Sequence, residues 1–275
     1  MAEPAFDRAR FQSRLATRTL GRHLVARASV ESTNDAAWDA LAAGTPDGTV
    51  IVADEQTRGR GRAGRVWHLA PGAGLALSVL LHTGCDRGAP GALPLGAGLA
   101  LARALERLGV VAALKWPNDL LLGGRKLSGI LCESRRSAVR REDGAGDAAV
   151  IGVGVNILER RESFPPEIRE RSTSLALEGF ALDRETVAAE FLNALEPLWA
   201  ALQEGGREDV LAAWRARASF WGERVSVRTA AGEVRGLART LDAHGGLVLA
   251  LDGGGETTVL AGDLEIPRAA EAGPR

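Results

Sequence analysis

The chain of 275 residues has only two cysteines, Cys85 and Cys132, too few for a disulfide framework and wrongly spaced for zinc. Both lie in apolar, strand-like runs and read as buried free thiols. No run of about 18 apolar residues exists, which argues against a membrane span. Met1 to Leu15 alternates charges with small side chains and lacks the apolar core of a signal peptide, so a cytoplasmic protein is expected. Net charge is nearly absent, at −1, so the chain as a whole is not built to coat nucleic acid. Internal repeats and long low-complexity segments are missing too. What remains is 45% hydrophobic, too apolar for disorder, with room for one large domain or one domain plus a small module.

Against that neutral background, Gly59-Arg60-Gly61-Arg62-Ala63-Gly64-Arg65 packs three arginines and three glycines into seven residues. Glycine lets backbone approach a ligand closely, and arginine presents a fixed fork of donors to phosphate or carboxylate. Strand-like runs flank it, Thr49 to Ala53 before and Leu75 to Leu81 after. The spacing of Gly59 and Gly64 matches a P-loop, but Arg65 and Val66 stand where Lys and Ser/Thr belong, and no helix pattern follows. Taken alone, the loop reads either as a cationic flap over an anionic ligand or as a solvated or RNA-holding segment.

Residues 5–22 are arginine-rich and suit a short helix, too little for a helix-turn-helix domain. Ser32-Thr33-Asn34-Asp35 precedes an alanine-rich helix that stops at Gly44; Ser32, Thr33 and Asn34 either only cap the helix or also face a ligand. A long helix is expected over Leu93 to Leu108, and a strand from Val110 to Lys115. Gly123-Gly124 then turns a hairpin into the strand that begins at Lys126. Residues 135–147 read as an exposed loop, and Ala148 to Asn156 as a strand. Ser163 to Ser174 is irregular. Asp183 starts a helix with Val187, Phe191, Leu195 and Leu198 on one face, and a second helix spans Glu208 to Ala218. From Gly222 the texture changes to short strands between glycine turns, the mark of a small all-β module, which puts a domain boundary near Phe220 to Gly222.

Lys115-Trp116-Pro117-Asn118-Asp119 crowds a cation, a large aromatic and two oxygen-bearing side chains around a proline. Asn118 and Asp119 either turn the chain or serve Mg²⁺, which prefers one or two carboxylates plus substrate phosphates. Lys126 falls near that corner on the paired strand, where it either snorkels or takes part in chemistry.

These segments together resemble the biotin protein ligase family. The arginine loop fits its Gly-Arg-Gly-Arg-x-Gly-Arg motif, Lys115 to Asp119 its Lys-Trp-Pro-Asn-Asp motif, and Lys126 to Ile130 its Lys-x-x-Gly-Ile segment. Ser32-Thr33-Asn34 and Gly152-Val153-Gly154-Val155-Asn156 fit two more, in the right order, and the resemblance covers roughly residues 20–265. It implies an α/β (α+β) fold: a mixed-sheet catalytic domain of the biotin/lipoate ligase type over residues 1–221, then a small SH3-like β-barrel over 222–275. It implies ATP and biotin as substrates, with Mg²⁺, giving biotinyl-adenylate and pyrophosphate. Biotin would then pass to a lysine of a biotin carboxyl carrier protein or another carboxylase subunit.

By matching positions, the resemblance implies that Ser32, Thr33, Asn34 and Gln56 hold the biotin ring region. Gly59, Arg60, Gly61, Arg62 and Gly129 would complete the biotin site. Arg60, Arg62 and Lys126 would be catalytic, with Lys126 reaching the carboxylate and α-phosphate. Arg62, Arg65, Trp67, Asn118, Lys126 and Asn156 would serve the nucleotide, and Asp119 the metal. The flap is expected to be mobile without ligand. The family often has Ser before Pro where this chain reads His68-Leu69-Ala70-Pro71. The missing N-terminal DNA-binding domain implies a ligase only, without operator or membrane binding. A homodimer joined sheet edge to sheet edge is compatible with the resemblance. Its rivals are a lipoate–protein ligase, which the polar Ser32-Thr33-Asn34-Gln56 set disfavours, and a nucleic-acid module working through the arginine loop.

Overall fold

A computed structural model describes residues 5–83, 91–136 and 147–266. Cys85 and most of the loop read over 135–147 lie outside those residues. The helices are α1 (Arg8–Arg14), α2 (Thr33–Ala42), α3 (Ala92–Arg107), α4 (Pro166–Arg169), α5 (Arg184–Gln203) and α6 (Arg207–Arg215). Seven strands form the main sheet: β1 (Leu24–Val30), β2 (Val50–Gln56), β3 (Leu75–Thr83), β4 (Ala113–Lys115), β5 (Asp119–Leu122), β6 (Arg125–Arg136) and β7 (Asp147–Val155). Their order is β1-β2-β3-β7-β6-β5-β4, with β1 and β2 parallel and the other pairs antiparallel. A second, antiparallel sheet holds β8 (Arg224–Thr229), β9 (Gly232–Leu241), β10 (Leu247–Leu251), β11 (Glu256–Val259) and β12 (Asp263–Glu265). The expected α/β architecture with a C-terminal all-β unit is what forms.

The two faces of the main sheet differ. One is covered by α3 and α5, whose buried Leu99, Leu101, Val187, Phe191 and Leu195 meet the strands in one large core. Each such side chain, once buried, stabilises the fold by roughly 1.5–3 kcal/mol before entropy is charged against it. Asp183 caps α5 by accepting from Thr186 N at 2.6 Å, as its position predicts. The other face is covered by α2 at one end only, where Ala37, Trp38 and Leu41 pack on Ile51, Leu80 and Val150. At the other end one row of that face carries only small residues on β3, β7 and β6 before it reaches β5 and β4. Ala76, Gly154, Gly129, Asp119 and Lys115 pair in one row across β3, β7, β6, β5 and β4.

Residues 5–22 hold α1, which docks on α5 through Phe11, and Glu196 of α5 accepts the backbone N–H groups of Arg18, Thr19 and Leu20. The C-terminal sheet shares the large core through Val225, Ala238 and Leu241. Trp116, almost fully buried, donates its indole N–H to Gly245 O in the β9–β10 turn at 3.0 Å. No helix among the described residues is long and apolar enough to cross a membrane.

Candidate active site

A cavity of about 860 Å³ opens over the end of the sheet that α2 leaves uncovered, between the arginine loop, the 156–172 segment and the C-terminal sheet. Of the residues expected at the site, Ser32, Thr33, Asn34, Gln56, Arg60, Gly61, Arg62, Arg65, Trp67, Asn118, Asp119, Lys126, Gly129 and Asn156 line it. Gly59 does not. It is buried beneath the loop, and a side chain there would strike Trp67 O, so it closes the loop's base instead of touching the cavity.

One end is neutral and polar. Ser32 stands at the N-cap of α2, yet its side chain caps nothing. Thr33 N and Oγ1 both donate to Gln56 Oε1, at 2.9 and 3.1 Å. Asn34 takes Ser78 Oγ–H on Oδ1 at 2.6 Å and gives Nδ2–H to Glu133 Oε2 at 2.8 Å. The capping alternative therefore fails; these side chains form a network facing the cavity. Asn34 lines the cavity while both ends of its amide are tied to neighbours, Oδ1 to Ser78 and Nδ2 to Glu133. Ser78 and Glu133 were not anticipated. Ser78 interrupts the apolar run of β3, whereas Glu133 lies among several other polar residues of β6 and has no such contrast to mark it.

The arginines sit at the middle. The loop folds on itself, with Gly61 N donating to Arg65 O at 2.7 Å and Trp67 N to Gly59 O at 2.9 Å. Arg60 forks onto both oxygens of Glu133, at 3.0 and 2.9 Å, and also reaches Asp35 at 2.8 Å. Burial and these donors oppose each other at Glu133, and the net effect holds its carboxyl below the usual range. Arg62 donates to Asn118 Oδ1 at 3.0 Å, and burial pushes its guanidinium down from the ordinary value. Arg65 pairs with Asp263 of β12 at 2.7 Å. Each arginine thus holds a different element of the body.

Lys126 points along the floor. Its ammonium is 2.7 Å from Asp119 Oδ1 and 5.8 Å from the centre of the Trp67 ring. Trp67 packs on Gly154, where any side chain would enter the indole, and a Cβ on Gly129 would come within 3.1 Å of the ring. Gly129 therefore clears space for Trp67 and Lys126. Lys115, at the end of the row, is held below the usual lysine range by burial, opposed by Asp119. Asn156 donates Nδ2–H to Thr173 O at 2.9 Å, while its Oδ1 is buried without a partner. Phe164, Ile168 and Arg171, in the stretch read only as irregular, complete this end.

That stretch is tied down by Glu159, which is 2% exposed. Its backbone oxygen accepts from Ser174 Oγ at 2.7 Å, its Oε2 accepts from Ile157 N at 2.7 Å, and its Oε1 has no partner. Burial pushes the carboxyl up from 4.5 to about 7. The folded chain therefore keeps a proton that the unfolded chain has lost, and this contribution to stability falls as pH rises from about 4.5 through about 7. Glu159→Gln is expected to remove that fall and to gain roughly 3 kcal/mol on wild type between pH 4 and pH 8, at about 1.4 kcal/mol per unit. Melting curves of both proteins across this window check it; parallel curves would contradict the assignment.

Cys132 is a free, partly buried thiol, and burial pushes it up. Among the described residues no three His, Cys, Asp or Glu side chains converge as a metal cluster would require.

The profile of the biotin/lipoate A/B protein ligase family matches residues 26–156, and that of the biotin protein ligase C-terminal domain matches residues 220–266. The chain is 39% identical over 227 residues to the biotin–[acetyl-CoA-carboxylase] ligase of Mycobacterium tuberculosis, covering 79% of each chain. It is 32% identical over 237 residues to the bifunctional ligase/repressor BirA of Bacillus spizizenii, covering 86% of this chain and 71% of that one. Among solved structures, the biotin protein ligase from Aquifex aeolicus in complex with biotin and ATP superposes with a TM-score of 0.75 at 28% identity, covering 90% of this chain and all of that one.

Proposed function

The chain belongs to the biotin protein ligases of the biotin/lipoate A/B protein ligase family, and we propose that it joins biotin to ATP as biotinyl-5′-AMP and then passes biotin to a lysine of a carrier domain. One observation carries the two-step reading. One cavity is lined by a neutral polar set, by Arg60, Arg62 and Lys126, by the Asn118–Asp119 corner, and by Asn156 with its unpartnered Oδ1. An uncharged ureido ring suits the Thr33, Gln56 and Ser32 end. Lipoate, with no such group, would leave those polar atoms unsatisfied.

The first step joins two anions. A carboxylate oxygen attacks the α-phosphorus, the bond to the bridging oxygen breaks, and its electron pair leaves on pyrophosphate. Arg60, Arg62 and Lys126 offset the repulsion and stabilise the charge gathering on the α-phosphoryl oxygens. All three now spend their donors on Glu133, Asn118 and Asp119, so ligand binding exchanges internal partners for anionic oxygens. That exchange is the physical content of the expected flap motion, and excluding water from the mixed anhydride is its use. Asn156, whose Oδ1 is buried and without a partner, would serve the nucleotide by accepting from the adenine amine or a ribose hydroxyl. In the second step the carrier's amine attacks the acyl carbon and AMP leaves.

The donor set fits Mg²⁺ held mainly by phosphates. Asp119 has one oxygen beyond the Lys126 pair, and a nucleotide-bound Mg²⁺ needs only one or two protein carboxylates. When bound, the ion would neutralise phosphate charge.

Single-turnover reactions with α-labelled ATP, offering biotin and lipoate in parallel, test the reading. Labelled adenylate is expected with biotin and not with lipoate, and the loop should become resistant to protease when biotin and ATP are added. Adenylate formed with lipoate alone would move the chain to the sister activity. No adenylate with either acid would remove the reading.

A further inference from the structure

We propose that Glu178 is a positioning residue for Lys126, acting through a β-bulge that turns the lysine onto the cavity face of the sheet. This rests on the ligase reading.

The bulge is needed because of the period of a strand. Successive side chains of β6 point to opposite faces. Gly129 faces the cavity, opposite Gly154 on one side and Asp119 on the other. Counting back by twos from Gly129 puts Leu127 on the cavity face and turns Lys126 toward the helices, with Ser128. The structure has the reverse. Leu127 is fully buried in the large core, while Lys126 lines the cavity and pairs with Asp119 at 2.7 Å. The change of face falls where the β5–β6 ladder shifts: Ser128 lies opposite Leu120, Lys126 lies opposite Leu121, and Leu127 is skipped. One extra residue re-aims the lysine, as bulges beside active sites do.

A bulge takes backbone groups out of the ladder, and here other segments receive them. Lys126 N donates to Arg171 O at 2.7 Å, Lys126 O accepts from Thr173 N at 2.9 Å, and Leu127 O accepts from Asn156 N at 3.0 Å. Lys126 and Ser172 form an isolated parallel bridge. The segment that holds the bulge is in turn held by one carboxylate. Glu178 Oε1 accepts from Arg125 Nη2 at 2.7 Å and from Thr173 Oγ1 at 2.5 Å. Its two partners are the residue just before the lysine and the residue whose backbone holds it. A Cβ on Gly123 would come within 3.3 Å of Glu178 Oε2, so the carboxylate also abuts the hairpin turn. None of Glu178, Arg125 and Thr173 lines the cavity, so Glu178 acts on the reaction at one remove.

A reacting group displaced by about 1 Å loses up to about a hundredfold in rate. Glu178→Ala is therefore expected to slow single-turnover biotinyl-adenylate formation at least fivefold at saturating biotin and ATP, with biotin affinity within threefold of wild type. In a Lys126→Met background the same substitution is expected to slow the reaction less than twofold, because the group it places is gone. A merely structural role would lower both backgrounds alike. A loss below fivefold with Lys126 present, or an equal loss in both backgrounds, would overturn the proposal. Should Glu178→Ala not fold, Thr173→Val, which removes one of the two donors, is read in the same way, with at least a threefold loss expected when Lys126 is present and none without it. A wild-type chain that makes no adenylate would mean that the ligase reading has failed, and amide hydrogen exchange then decides the clamp. The Lys126 and Thr173 amides are expected to exchange at least tenfold faster in Glu178→Ala, and unchanged exchange rejects it.

Discussion

Lys126→Met is expected to slow single-turnover biotinyl-adenylate formation by about 10²–10³, the usual cost of removing one donor aimed at developing transition-state charge. The fold should hardly notice. The Lys126–Asp119 pair has a lysine side chain 35% exposed, and pairs exposed to that degree contribute about 0–1 kcal/mol at most. Methionine keeps an apolar stem beside Trp67 and Gly129. Biotin affinity should weaken only a few-fold, because Thr33, Gln56 and Ser32 hold the ring end without the lysine. The effect therefore belongs to the rate and not to binding. The measurement is a quench-flow time course of labelled adenylate at saturating biotin, with calorimetric biotin binding beside it. A rate within threefold of wild type would show that Lys126 serves only to hold Asp119.

Gly154→Val is expected to weaken biotin binding more than a hundredfold, about 3 kcal/mol at 1.4 kcal/mol per tenfold, while the chain still folds. Valine suits a strand interior better than glycine, and Gly154 has extended partners on both sides, Ala76 and Gly129. The added carbons, however, enter the space of the Trp67 indole. Trp67 cannot simply slide away, since its backbone N–H is fixed on Gly59 O and its loop is pinned by Arg60, Arg62 and Arg65. The floor is lost and the loop is lifted at once. A melting temperature near that of wild type combined with absent biotin heat would bear this out; normal affinity would mean that the seating of Trp67 on Gly154 does not shape the acid's site.

Much of this was readable from residue order, and the unread parts have a common cause. Helices α3 and α5 were legible because their large apolar side chains recur at helical spacing, although both helices are buried nearly all round with small residues on the remaining faces. The β5–β6 hairpin was legible because Gly123 and Gly124 both take positive φ, which glycine alone adopts freely. Strand β1 went unread: it is an edge strand that alternates buried and open positions, and its Arg27 and Ser29 dilute the pattern. Strand β12 is only three residues long and lies past the last apolar run. Helix α2 begins at Thr33, earlier than its alanines suggest, because polar residues that usually stop short of a helix are here turned inward to one another. The site residues carried by motifs, Gly59 apart, line one cavity. Ser78, Glu133 and Asp35 did not show themselves, because they touch other side chains more than ligand, and pairings across strands leave no local spacing to read.

The indole of Trp116 has a consequence for how such chains can be assembled. Its N–H finds an acceptor only at Gly245, 129 residues further on. The corner bearing Asn118 and Asp119 takes its height from a turn in a unit that looks, in sequence, like a detachable part. Swapping that unit for a foreign one therefore transplants half of a hydrogen bond. A donor lacking a carbonyl at that height strands a buried N–H, at about 1–3 kcal/mol, and tilts the corner with it. The two units therefore fit as a matched pair, and a hybrid is expected to need Trp116 and the Asp242–Gly246 turn from the same source.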